Sequence, residues 1–125
     1  MTTFSYDLDE NKTATMGMVV LQTDERIESD MRQLLSPKIN LHVTRIPSGA
    51  TVTTDTLSQM ENDLPAAAAL LPRAAKFDAV GYGCTSGTSV IGAPRIAELV
   101  PCGWVAKNLT APLHAVMHAS KPRLT

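Results

Sequence analysis

Short apolar runs alternate with amphipathic stretches along this chain. Thr15 to Leu21 (Thr-Met-Gly-Met-Val-Val-Leu) is apolar and partly β-branched, the pattern of a strand buried on both faces of a parallel sheet. Ile27, Met31, Leu34 and Leu35 then recur at helical spacing, and Pro37 stops that helix. Asp24 stands before it as a candidate N-cap, with Glu25 favourable in the first turn. Leu41 to Ile46 reads as a second strand, closed by Pro47-Ser48-Gly49. A hydroxyl-rich loop, Thr51 to Thr56, leads into a second helix with Leu57, Met60, Leu64 and Ala67 on one face. Pro65 inside that pattern predicts a kink or a break, and Ala66 to Leu71 continues with good helix formers. Asp78 to Gly83 is the third strand, and a glycine-rich loop runs from it to Gly92. A third helix follows over Pro94 to Val100, with Ile96, Leu99 and Val100 inward. Trp104-Val105-Ala106 reads as a short fourth strand, Thr110 to Ala119 as a fourth helix, and Arg123-Leu124-Thr125 as the start of another strand. Met1 to Thr13 is polar and patternless and reads as a flexible arm, leaving residues 14–125 as one α/β domain.

The order β-α-β-α-β-α-(β)-α predicts a doubly wound parallel sheet, a flavodoxin-like three-layer sandwich. Ligands of such folds bind beyond the C-terminal ends of the strands. The loops there are Gln22–Glu25, Pro47–Thr54 and Gly83–Gly92, and all are rich in small polar side chains.

Composition narrows the partners. The chain has 125 residues, 44% hydrophobic and 18% charged, which suits one globular core. The formal net charge is -1 with no basic run, so nucleic acid is not an expected partner. The longest apolar run, Pro65 to Pro72, is too short to span a bilayer, so no membrane is expected either. Acidic Asp7, Asp9 and Glu10 stand where a secretory signal carries basic residues. Cys84 and Cys102 do not make a disulfide framework, and the expected setting is cytoplasmic, with reduced thiols.

The Gly83–Gly92 stretch is the best place for chemistry. Phosphate binding fails, because Ala93 stands where a P-loop needs lysine. A dinucleotide fingerprint fails, because Gly81, Gly83 and Gly87 are spaced one residue too long. His114 and His118 lie four apart on an expected helix, and with His42 they are the chain's histidines, but no flanking Cys or carboxylate completes a metal set. No window matches the G-x-S-x-G serine elbow. That leaves the thiol of Cys84 at a strand end, where helix N-terminal N–H groups favour a thiolate. Such a thiolate can take a proton from carbon or attack a polarised double bond. Thr85, Ser86, Thr88 and Ser89 can hold a carboxylate beside it. A buried, inert cysteine in a tight strand–helix turn is the competing reading.

The run Val80-Gly81-Tyr82-Gly83-Cys84-Thr85-Ser86-Gly87-Thr88-Ser89-Val90-Ile91-Gly92 resembles the first-cysteine loop of the Asp/Glu racemase superfamily. The branch it resembles is that of the maleate cis–trans isomerases and arylmalonate decarboxylases. Within it, Gly17 to Glu28 is similar to the ectoine-utilisation racemase-like proteins. Asn108-Leu109-Thr110-Ala111 resembles the segment that opens the helix closing the family's first half. The resemblance implies one half of a pseudo-symmetric two-domain fold, here the N-terminal half. It implies cofactor-free racemase, isomerase or decarboxylase chemistry at the carbon next to a carboxylate. Cys84 matches the first-half catalytic cysteine, and Thr85 and Ser86 match residues that bind a carboxylate or enediolate oxygen. Gln22, Thr23 and Asp24 fall in the substrate-binding loop after the first strand. Asp24 stands where the maleate isomerases carry an asparagine, and its carboxylate would repel a dicarboxylate and favour an amino-acid-like ligand. The family's second cysteine lies in a second half, and Cys102, in the Pro101-Cys102-Gly103 turn, does not replace it. Without that half the expectation widens to a non-catalytic carboxylate-binding module or a truncated product. A homo-oligomer is expected, since a half domain exposes the apolar surface its partner half would cover.

Overall fold

The computed structural model describes residues 3–8, 13–100 and 108–110. Among them, β1 (Thr15–Leu21), β2 (Asn40–Ile46), β3 (Ala79–Tyr82) and β4 (Asn108–Thr110) form one parallel sheet in the order β2-β1-β3-β4. β1 is central because it is apolar on both sides: Met18, Val19 and Val20 are all buried. It pairs in register with β2 from Thr15↔Asn40 to Leu21↔Ile46, and with β3 from Met16↔Ala79 to Val19↔Tyr82. This strand order is that of the flavodoxin-like doubly wound fold.

The helices are α1 (Ile27–Leu34), α2 (Thr54–Ala68), α3 (Thr85–Ile91) and α4 (Ala93–Leu99). The main core lies between the sheet and α2, α3 and α4. Val19, Ile46, Val80 and Tyr82 meet Leu57, Met60, Leu64 and Ile96 there. α2 opens with a reciprocal capping box: Thr56 N–H donates to Thr53 Oγ1 at 3.1 Å, and Thr53 N–H donates to Thr56 Oγ1 at 2.9 Å. Near its other end the Thr44 hydroxyl donates to Ala67 O at 2.8 Å. Arg95 ties α4 to α2 through Glu61 at 2.7 Å. α1 lies across the opposite face, where Ile27 and Val20 bracket the space beside Gly83.

Several expectations need correction. Pro65 does not break α2, which runs through it to Ala68. The proline removes only one late N–H, and buried Leu64, Ala67 and Ala68 hold the last turn. Leu34 is 80% exposed rather than inward, and no residue of α1 is fully buried. The stretch read as a loop to Gly92 is helical from Thr85, and Gly92, at φ 93, separates α3 from α4. The fourth strand is Asn108–Thr110, paired as Ala79↔Asn108, Val80↔Leu109 and Gly81↔Thr110. Thr110, expected as the first residue of a helix, closes this strand. Pairing with β3 overrides a weak local pattern there. Cys102, Trp104 to Ala106, His114, His118, the helix expected to Ala119 and the strand at Arg123–Thr125 lie outside the described residues. Residues 3–8 have no regular structure, and Phe4, Tyr6 and Leu8 are largely exposed. Among the described residues, no helix is long and apolar enough to cross a membrane.

Candidate active site

β1 and β3 are neighbours whose chains leave toward opposite faces of the sheet, β1 into α1 and β3 into α3. Their C-terminal ends therefore frame the switch point of the fold, where a crevice opens. Gly83 N–H donates to Val19 O at 2.8 Å and carries the pairing to the end of β3. Cys84 comes next, in extended backbone (φ -138, ψ 106), as the N-cap of α3. Its Sγ accepts from Gly87 N–H at 3.2 Å. Its carbonyl accepts from Thr88 N–H at 3.0 Å and from Thr88 Oγ1 at 2.6 Å. The thiol is thus held at both ends of the residue and is only 6% exposed.

The exposed part of Cys84 faces a pocket of about 80 Å³, shared with Thr23, Ser48, Thr56, Met60 and Ser86. An adjoining recess of about 210 Å³ is lined by Gln22, Ser48, Thr56, Gln59 and Asp63. Ser48 knits the two strand-end loops together. Its Oγ lies 3.0 Å from Thr23 Oγ1 and accepts from Thr23 N–H at 3.2 Å, while its own N–H donates to Gln22 Oε1 at 3.4 Å.

The structure sorts the site residues expected from sequence. Cys84, Thr23 and Ser86 come together in the smaller pocket, and Gln22 lines the recess beside it. Thr85 is exposed and lines neither cavity. Thr88 and Ser89 turn their hydroxyls back onto carbonyls one turn earlier, Ser89 to Thr85 O at 3.1 Å. Asp24 acts as the cap of α1, although the helix proper begins three residues later. Its Oδ1 accepts from Arg26 N–H at 2.8 Å and Ile27 N–H at 2.7 Å. Those two amides, with Arg45 nearby, hold its carboxyl below the usual carboxylate range, against a smaller opposing effect of burial. Arg45 fixes the same loop, donating to Leu21 O at 2.9 Å and Asp24 O at 2.7 Å.

Sequence reasoning did not single out Ser48, Thr56, Met60 or Tyr82. Ser48 and Thr56 belong to hydroxyl-rich segments, which is a usable signal. Met60 carries only a core pattern. Tyr82 is 1% exposed, and its hydroxyl donates to Met60 Sδ at 3.4 Å beside Cys84. Burial, then the charge of an ionised Cys84 and a hydrogen bond to it, push the phenol well above its ordinary range, so it stays a donor at neutral pH. Among the described residues, no three His, Cys, Asp or Glu side chains gather to hold a metal ion.

No protein-family model matches the chain, and no curated protein matches it. Among solved structures, the crystal structure of the maleate isomerase Iso from Pseudomonas putida S16 superposes with a TM-score of 0.64 at 21% identity. The chain is similar in fold to half of a maleate isomerase. The match covers 86% of this chain and 48% of that one, so the chain spans about half the length of its structural neighbour. At this identity the likeness speaks for the fold, which is the flavodoxin-like α/β arrangement read from the sheet order.

Proposed function

We propose that this chain is the N-terminal, first-cysteine half of a cofactor-independent racemase- or isomerase-type enzyme. It acts at the carbon next to the carboxylate of a small amino-acid-like substrate, with ectoine breakdown as its setting. The observation that carries this reading is the placement of Cys84. A thiol at the switch point of the sheet faces a small pocket lined by Thr23, Ser48 and Ser86 beside apolar Leu21, Leu57 and Met60. The Cys84 thiolate takes the proton from the carbon beside the carboxylate, and the electron pair moves into an enediolate. Hydroxyls of Ser86 and Thr23 donate to its oxygens. Gln22, in the adjoining recess, and the exposed Thr85 next to Ser86 in the chain bind the outer part of the substrate. Asp24 lines neither cavity and has Oδ1 committed to two backbone amides, so in this reading Oδ2 meets the substrate's ammonium group from the edge of the site. A small pocket suits a substrate of few heavy atoms. The fold likeness to a maleate isomerase supports the reaction class.

A second reading is a small-carboxylate-binding module without turnover. It is favoured by the pocket's own lining: among the described residues, no carboxylic acid, histidine or second thiol faces Cys84 across it. In the lead reading that second group comes from an opposing half, and self-association covers the open face. Calorimetry and protection of Cys84 from alkylation, over a panel of small amino acids and carboxylic acids, test the shared premise. If no member of the panel protects Cys84, both readings fail. Protection without any exchange of the substrate's carbon-bound hydrogen selects the binding module.

A further inference from the structure

The hydroxyl of Tyr82 is a polar group of the core that the proposed chemistry leaves unused and that, unlike those of Thr44 and Thr88, has no oxygen acceptor among the described residues. It is almost fully buried, and its hydrogen-bond partner is Met60 Sδ at 3.4 Å, a weak acceptor for a phenol. A strong donor kept dry against a thioether is an expensive arrangement unless a better acceptor is close. One is close. A Cβ built on Gly87 would lie 2.6 Å from Tyr82 Oη and 3.1 Å from Cys84 Sγ, so oxygen and sulfur converge on the space the glycine leaves open. Gly87 serves twice there, since its N–H also donates to the same sulfur at 3.2 Å.

We propose that Tyr82 is a positioning residue for the Cys84 sulfur, its hydroxyl turning from Met60 Sδ to Cys84 Sγ when the sulfur carries negative charge. In the thiol form Cys84 is a poor acceptor and the phenol rests on Met60. In the thiolate form the charge draws the O–H across, and Tyr82 and Gly87 N–H together fix the direction of the sulfur lone pairs. The groups that line the Cys84 pocket from the other elements carry no charge: Thr23 and Ser48 on the loops, Thr56 and Met60 on α2, Ser86 on α3. Tyr82 is therefore the polar side chain that reaches the sulfur from within the core. The inference concerns the thiol alone and stands apart from the choice of substrate.

The test is the pH profile of Cys84 alkylation by iodoacetamide, read on the Cys84 peptide by mass spectrometry so that Cys102 does not interfere. No substrate is needed, so failure here is distinct from failure of the proposed reaction. Tyr82→Phe, which keeps the ring and removes the donor, should move the midpoint up by about one pH unit. An unmoved or lowered midpoint in the folded variant overturns the proposal. Should Tyr82→Phe not fold, Met60→Leu decides the matter. With the resting acceptor gone, the midpoint should fall by about half a unit. A midpoint equal to or above that of the wild-type chain overturns the proposal.

Discussion

Gly87 offers a sharp test of how the site is packed, because helix propensity and sterics there pull in opposite directions. The residue lies in the first turn of α3, where alanine is intrinsically better than glycine by about 1 kcal/mol. The added methyl, however, would stand 2.6 Å from Tyr82 Oη and 3.1 Å from Cys84 Sγ. Restoring ordinary contact requires the phenol to retreat by about 1 Å. Its ring is sealed in the core, with Met60 against its hydroxyl, so it has no free end to swing aside. Overpacking of this kind costs about 1–3 kcal/mol. Steric cost should exceed propensity gain, and Gly87→Ala should destabilise by about 1–2 kcal/mol, a fall of about 4–8 °C in Tm. Gly81→Ala is the control, since a Cβ there meets Met18 at an easy 3.8 Å. Urea unfolding followed by circular dichroism reads both variants. If Gly87→Ala is as stable as the wild-type chain, Tyr82 and Cys84 do not converge as described, and the account of the pocket wall is wrong.

Two further outcomes follow from the same structure. Thr44→Val should cost about 1 kcal/mol in urea unfolding, because it removes the buried hydroxyl's bond to Ala67 O and leaves that carbonyl with backbone donors alone, Leu70 N–H at 3.2 Å among them. Asp24 has its native pKa held below the unfolded value of 3.8, so its charged cap stabilises α1 above that value and is lost as pH falls through the lower native one. The stability gap between wild type and Asp24→Asn should therefore be full near about pH 6 and shrink below about pH 4. A gap that does not change over that range refutes the cap's electrostatic role.

The fold was legible where side-chain pattern and burial agree. β1 is apolar on both faces and is central, and β2 and α2 follow their expected periods. The loops at the strand ends could be read as a site because hydroxyl and glycine residues cluster there without a core role. What was not legible has a local cause in each case. Thr85 to Ile91 looks like a loop because its hydroxyls compete with the backbone, yet Thr88 and Ser89 satisfy them on carbonyls one turn back and stay helical. Asn108–Thr110 carries almost no apolar signal and becomes a strand through pairing with β3. Asp24 looked equally like a cap and a ligand group, and only its two amide contacts show the capping. Tyr82 was invisible as a partner of Cys84, since alternation along β3 says which face it takes and not what waits there.

The central claim is that the Cys84 thiolate works on the carbon next to a carboxylate. Deuterium incorporation at that carbon, followed by NMR in D2O over a panel of small amino acids and carboxylic acids, tests it most directly. The protein should be assayed as the longest native form, beside its Cys84→Ala variant with matched fold and ligand binding. The account predicts exchange into at least one member of the panel, slower in Cys84→Ala by on the order of 10²-fold or more. Equal exchange by the two proteins, or none by the wild type with a ligand that protects Cys84, would contradict it.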